Sequence, residues 1–390
     1  MPTPTMCSAL HLRNTDEVTQ LVPRGRAVLF ERAKVSILYL YYMAVRFVRA
    51  KLEPRSRSMN QRLNALGKTY HIRMWQSAAA SVGAVCRTEP GGVVEIENGS
   101  RSIRVRDNVT SLNEPAAVKR ASDKAGMQAL LAKSGVPVPR GIVLTVNEFD
   151  RALLMLQTAR GALVVKPAES TGGGVGVSTN VTSLPRLRTT MAWARTFSRY
   201  IWLEEQVEGD CYRVLVMDGE VIDTVLRRPP RVVGDGVSTI RRLIHRENEA
   251  RLKAAAVQPQ VPIRFDLDLR TTLANQGLTL RSRPAEGEVI QLKRVINDNS
   301  ALDNVPANGR LCRAILDAAC RAAAIVGAKL AGVDVICTDP TAPLEVSGGA
   351  IIEVNATPGF YCHIGEKGAS TFPAVERVLS KALHQAPAQA

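Results

Sequence analysis

The residues best suited to phosphate chemistry lie together in one short stretch. Ala162-Leu163-Val164-Val165 is an apolar run ending on Lys166, Pro167 stiffens the exit, and Glu169-Ser170-Thr171-Gly172-Gly173-Gly174-Val175-Gly176-Val177 follows at once. A lysine at a strand end supplies a point charge, and consecutive glycines let the backbone approach a phosphate and aim its N–H groups at the oxygens. Taken alone, the pattern fits a glycine-rich hairpin between two strands equally well. It lacks the G-x-G-x-x-G spacing of a dinucleotide turn, and the absence of any G-x-x-x-x-G-K-[ST] run excludes a P-loop nucleotidase.

A second set of polar residues interrupts two apolar runs near the C-terminus. Gly332-Val333-Asp334-Val335-Ile336 and Ile351-Ile352-Glu353-Val354-Asn355 read as strands with acids where apolar residues are expected. Glu353 and Asn355 are two apart and share a strand face. If the strands pair, Asp334 stands opposite, and two carboxylates with an amide oxygen make a hard-oxygen set suited to Mg²⁺. The structural alternative is that each acid pairs with an arginine.

These residues need a framework to hold them. A helix is expected over Ala27–Lys51 and a linker at Arg55-Ser56-Arg57-Ser58. A helix over Met74–Ala84 and a hairpin about Asn98-Gly99 then form a small α/β lobe. Ser122 or Asp123 caps a helix to Lys133, and Thr145-x-x-Glu148 reads as a capping box for a helix ending near Gln157. Strands at 141–144, 162–166, 175–179 and 200–205 alternate with helices, as in a compact α/β lobe. Asp218-Gly219 then joins two long strands. The helical spacing of Leu311, Ile315, Ala318, Ala319, Ala322 and Val326 marks a buried helix, and a closing helix is expected over 372–383.

Composition sets the outer limits. The chain has 390 residues and a net charge of +15. Residues 1–75 carry thirteen Lys and Arg against four acids, so +9 of that charge belongs to the N-terminal segment. Aromatic residues are only 4%, which leaves few stacking platforms and disfavours a nucleic-acid binder. Seven scattered cysteines without a C-x-x-C pair indicate reduced thiols and a cytoplasmic protein, and no secretory signal is read in the first 20 residues. The apolar run Val35–Val45 is about half the length of a membrane span. Docking on the body or a dimer contact is the favoured role for residues 27–51. Peripheral membrane contact is less favoured, and a homo-oligomer is left open.

Taken in order, the motifs resemble the ATP-grasp superfamily, most closely the ATP-grasp module of cyanophycin synthetase, with glutathione synthetase and D-alanine–D-alanine ligase as relatives. The resemblance runs from about Asp107 to Pro373. It implies an α/β (α+β) fold in which two α/β lobes hold ATP between them. The divisions expected are a basic, partly helical extension (1–66), a small lobe (67–115), an ATP-grasp N-terminal lobe (116–203) and a C-terminal lobe with the Mg²⁺ site (204–385). By the same resemblance, Lys124 and Lys166 reach the nucleotide phosphates, and Ser170, Thr171, Gly172, Gly173 and Gly174 form a flexible lid. Glu204 faces the adenine amino group, and backbone from Glu205 to Val207 completes the adenine slot. Asp334, Glu353 and Asn355 match the Mg²⁺ ligands, with Mn²⁺ as a substitute ion. Two departures stand out. Cys211 occupies the place of the ribose-contacting acid, which leaves Asp210 for that contact, and Asn297–Asp303 differs from the relatives' substrate loop.

The activity implied is an ADP-forming carboxylate–amine ligase acting through an acyl phosphate on an amino acid or small peptide. Lys124, Lys166 and Mg²⁺ would neutralise the transferring phosphoryl group. Arg213, Arg228 and Arg231 are candidates for the γ-phosphate or a substrate carboxylate, because a planar guanidinium grips carboxylates with two prongs. His363 is expected to be structural. The competing readings are a catalytically degenerate ATP-binding scaffold, which Cys211 makes conceivable, and a basic nucleic-acid-binding protein.

Overall fold

The computed structural model describes residues 26–52, 54–169, 173–254, 261–298, 303–363 and 372–384. Two long helices open it, α1 (Arg26–Leu52) and α2 (Pro54–Ser81). The expected linker at 55–58 is instead the first turn of α2. Pro54 stands at its first position, where a missing N–H costs nothing, and no further breaker follows until Gly67. α2 also runs through the expected break at 66. Its Tyr70, Met74 and Trp75 pack on the inner face of a four-stranded antiparallel meander, β1 (Val85–Thr88), β2 (Val94–Glu97), β3 (Ser102–Arg106) and β4 (Val109–Thr110). Period-two alternation puts Val94, Ile96, Ile103 and Val105 on that face.

Next come α3 (Pro115–Ser122) and α4 (Lys124–Lys133), whose Asp123 cap accepts from the Gly126 N–H at 3.0 Å. The first cleft-forming sheet consists of β5 (Gly141–Leu144), β6 (Leu163–Pro167), β7 (Ser178–Val181) and β8 (Ile201–Glu205), in the antiparallel order β5-β8-β6-β7. Thr145 and Glu148 form the expected capping box, although the turn it opens is 3₁₀ and leads into α5 (Phe149–Thr158). α5 and α6 (Leu184–Arg195) cover one face of the sheet through Leu163, Val165, Ile201 and Leu203. Alternation therefore turns Val164, Lys166 and Glu204 to the other face, toward the cleft.

Beyond a hinge at 206–209, β9 (Asp210–Met217) and β10 (Glu220–Arg227) form a hairpin whose Asp218 and Gly219 both have positive φ, as a type I′ turn requires. A small inserted unit follows: β11 (Arg231–Val233), α7 (Ile240–Ala254), α8 (Leu267–Asn275) and β12 (Val289–Gln291), built on Ile240, Ile244, Leu269 and Ile290. Then come β13 (Asn304–Pro306), α9 (Arg313–Val326), β14 (Leu330–Cys337), α10 (Leu344–Ser347), β15 (Ala350–Asn355) and α11 (Pro373–His384). The second sheet has the antiparallel order β13-β10-β9-β14-β15.

α9 covers one face of this sheet over Val214, Val333, Val335 and Val354. α3 and α4 lie in the same core, although the 116–203 division places them with the first lobe. Their Ala121, Met127 and Leu131 pack there, and Gln128 donates to the Ile352 carbonyl at 3.0 Å. Their apolar faces match α9, whereas the first sheet's covered face is already filled by α5 and α6. Asn113 bolts the preceding segment to the sheet, donating to the Leu330 and Ala356 carbonyls at 2.6 Å each and accepting from the Leu330 N–H. No helix among the described residues is long and apolar enough to cross a membrane.

Candidate active site

The free faces of the two sheets meet across a cavity of about 1120 Å³. Lys124, Lys166, Gly173, Gly174, Glu204, Glu205, Val207, Asp210, Arg213, Arg228, Asp334, Glu353 and Asn355 all line it. Ser170, Thr171 and Gly172 lie outside the described residues. Arg231 does not line the cavity: it points to the surface, 4.0 Å from Asp303.

On the first sheet, Lys166 reaches diagonally to Glu204, Nζ to Oε1 at 2.7 Å, and the Trp202 indole N–H donates to Glu204 Oε2 at 2.5 Å. Both charges are buried. Lys124, at the start of α4, lies between the sheets: burial lowers its ammonium pKa, Glu353 and Glu204 push it up, and Lys166 pushes it down. Three charged neighbours from both lobes thus converge on one lysine.

On the second sheet the register places Arg213, Asp334 and Glu353 side by side across β9, β14 and β15, with Asn355 opposite Gly332. An irregularity between Asp334 and Val335 skips Ile352, which turns into the cavity while Ile351 and Val354 stay in the core. Asp334 takes two hydrogen bonds from Arg213, at 2.5 and 2.8 Å, and longer ones from Arg227 at 3.4 Å. Burial would raise the Asp334 carboxyl, but Arg213 and Arg227 outweigh it and hold the pKa below the usual range. The arginine-pairing alternative therefore holds for Asp334. Gly332 makes the pair sterically feasible, since a Cβ there would sit 2.9 Å from Arg213 Cδ.

Glu353 has no hydrogen-bond or ion-pair partner among the described residues. Asn355 only reaches the Gly332 carbonyl, at 3.4 Å. Two carboxylates and an amide oxygen on one sheet face are hard donors, although each Asp334 oxygen already accepts from both Arg213 and Arg227, the Arg227 bonds being the long ones. The donor types, hard oxygens throughout, suit Mg²⁺, with Glu353 the carboxylate that no described residue engages.

The hinge connects the two sheets closely. Gly209 has φ +123°, and a Cβ on it would lie 2.2 Å from the Cys337 carbonyl, so the chain passes directly over the end of β14. Cys211 lines the cavity beneath it, buried, with its thiol pushed up to about 12 by burial and then by Asp334. Asp210 stays exposed at the rim.

The bifunctional glutathione synthetase of Pasteurella multocida superposes on this arrangement with a TM-score of 0.52 at 21% identity, covering 79% of this chain and 43% of that one. The fold is ATP-grasp. In sequence, the cyanophycin synthetase of Trichormus variabilis is 32% identical over 276 residues, 70% of this chain and 30% of its own length. The glutathione biosynthesis bifunctional protein of Listeria innocua is 27% identical over 260 residues, 65% of this chain and 33% of its own. The chain thus spans about a third of the length of these relatives. No family model matches the sequence.

Sequence reasoning missed several residues of the ATP-grasp cleft. Arg227 is buried beside Asp334 and Tyr361, and its cue was parity: it pairs with Cys211, which shares the Arg213 face. Arg264 comes from the inserted unit, where no local pattern singles it out. It bonds Asp298 and donates to the Gly173 carbonyl at 2.5 Å, so the inserted unit grips the glycine loop. Asp298 also accepts from buried Lys293. Arg294 pairs with Glu208 of the hinge at 2.6 Å. His363 is buried away from the cavity with Nδ1 2.7 Å from Asp223 Oδ2, the structural setting expected for it.

Proposed function

We propose that this protein is an ATP-dependent, ADP-forming carboxylate–amine ligase acting on an amino acid or small peptide. The observation that carries the reading is the single cavity in which Lys124, Lys166 and Arg228 face Asp334, Glu353 and Asn355. Cations for phosphates and hard oxygens for a divalent ion thus meet between two sheets. The synthetase name of the Trichormus variabilis relative supports the reaction class.

In this reading a carboxylate oxygen attacks the γ-phosphorus, ADP leaves, and an amine nitrogen displaces phosphate from the acyl phosphate to give an amide. Lys166 and Lys124 hold the phosphates and neutralise charge as the phosphoryl group moves. Glu204, Glu205 and Val207 flank the adenine slot, and Asp210 at the rim takes the ribose. Asp334, Glu353 and Asn355 would hold Mg²⁺ or Mn²⁺, which would supply positive charge to offset that of the phosphates. Arg228, half-buried with no side-chain partner among the described residues, meets the γ-phosphate or the substrate carboxylate. Arg213 orients Asp334. Gly173 and Gly174 lie at the end of the lid that excludes water from the acyl phosphate.

Lys166→Ala and Glu353→Ala should each abolish amino-acid-dependent ADP release, and wild-type release from either variant would sink the assignment. Pools of amino acids and dipeptides with ATP and Mg²⁺, followed by mass spectrometry, would identify the product. A nucleotide-binding scaffold is the second reading, favoured by the engagement of both Asp334 oxygens with arginines. It predicts ATP binding without phosphate release from any pool.

A further inference from the structure

Helix α1 is apolar on two sides, and only one of them is covered by described residues. Val35, Leu38, Tyr39 and Tyr42 pack on the core of the first cleft-forming lobe. Its described charges are paired: Arg32 bonds Asp150, Arg46 bonds Thr196 and lies over the Phe197 ring, Glu31 meets Arg188 and Lys34, and the Lys34 ammonium also lies over the Phe30 ring at 4.1 Å. The opposite side faces solvent. Between Leu29 and Val48 every exposed residue is apolar except Ser36 and the Tyr41 hydroxyl. Phe30, Ile37, Leu40, Tyr41, Phe47 and Val48 are each 49–67% exposed and recur at helical spacing along one ridge. An exposed apolar ridge of this length, with Lys34 at its edge over Phe30, is an interaction surface.

Charge selects its occupant. Residues 26–81, which contain α1 and α2, hold eleven Lys and Arg against two acids, a net +9. A second copy seated on the ridge would bring +9 against +9. An anionic bilayer brings the opposite sign and an apolar boundary layer a few ångströms below its headgroups. We propose that α1 is a peripheral membrane anchor: its ridge inserts into the interface of anionic lipid, and the net positive charge of residues 26–81 favours that lipid. The helix lies flat along the lobe and does not span, in keeping with the absence of a crossing helix among the described residues.

The test is co-sedimentation of the full chain with vesicles of phosphatidylglycerol and phosphatidylcholine, against phosphatidylcholine alone, at low and high salt. Binding should require phosphatidylglycerol and weaken with salt. The double variant Ile37→Glu/Leu40→Glu should bind about tenfold or more weakly, each glutamate opposing both terms. These side chains point outward, so the melting temperature and ATP-dependent phosphate release of the variant should match wild type. The proposal is overturned if wild type stays in the supernatant with anionic vesicles, or if the variant binds as well. A lipid-free dimer that the variant dissociates would assign the ridge to a second copy. A large fall in melting temperature with no vesicle binding would assign it to another part of this chain. Either result overturns the proposal.

Discussion

Arg213 and Asp334 stand opposite one another on adjacent strands and meet as a two-pronged ion pair, Nε to Oδ1 at 2.5 Å and Nη2 to Oδ2 at 2.8 Å, both 7% exposed. Removing one partner leaves the other buried and uncompensated, which costs more than the pair itself contributes. Asp334→Asn, stranding Arg213 and Arg227 together, should destabilise the fold by about 3–5 kcal/mol in urea unfolding. A change below about 1 kcal/mol would mean that the guanidiniums find water or other partners.

The same pair sets a pH dependence. The folded Asp334 carboxyl has a pKa below its ordinary value, so the unfolded chain binds that proton more readily. Its stabilising contribution is therefore complete above the ordinary carboxyl pKa of about 4 and disappears as pH falls through the lowered folded value. The stability gap between wild type and Asp334→Asn should shrink as pH is lowered from about 5 toward about 2. A gap constant over that range would contradict the assignment.

Arg264 ties the inserted unit to the glycine loop through the Gly173 carbonyl. Charge-assisted hydrogen bonds contribute about 1.5–3 kcal/mol. If the grip holds the lid over bound nucleotide, Arg264→Ala should weaken ATP binding by roughly tenfold or more. Isothermal titration on the purified variant reads this directly. Unchanged affinity would reduce Arg264 to a structural partner of Asp298.

Asn113 satisfies three backbone groups on β14 and the exit from β15. Asn113→Ala leaves them buried without partners and should cost on the order of 3 kcal/mol. Because β14 and β15 carry Asp334 and Glu353, Mg²⁺-dependent ATP binding should weaken in parallel. Wild-type unfolding midpoints would rule out this bolt.

The sequence by itself determined most of the individual elements. Turn chemistry at Asp218-Gly219, the capping box at Thr145 and Glu148, and the helical spacing from Ile315 to Val326 are local signals that fix local geometry. The two-residue spacing of Glu353 and Asn355 likewise fixes their shared face. What it could not hold was the partner of each charge. Lys166 and Glu204 are 38 residues apart, Arg213 and Asp334 are 121 apart, and Arg264 and Gly173 are 91 apart. Such pairs arise only when strand register and lobe packing bring distant segments together. α3 and α4 joined the α9 core for the same reason. The solvent-facing side of α1 is equally invisible in the sequence, where both apolar sides of the helix look alike until one of them is covered.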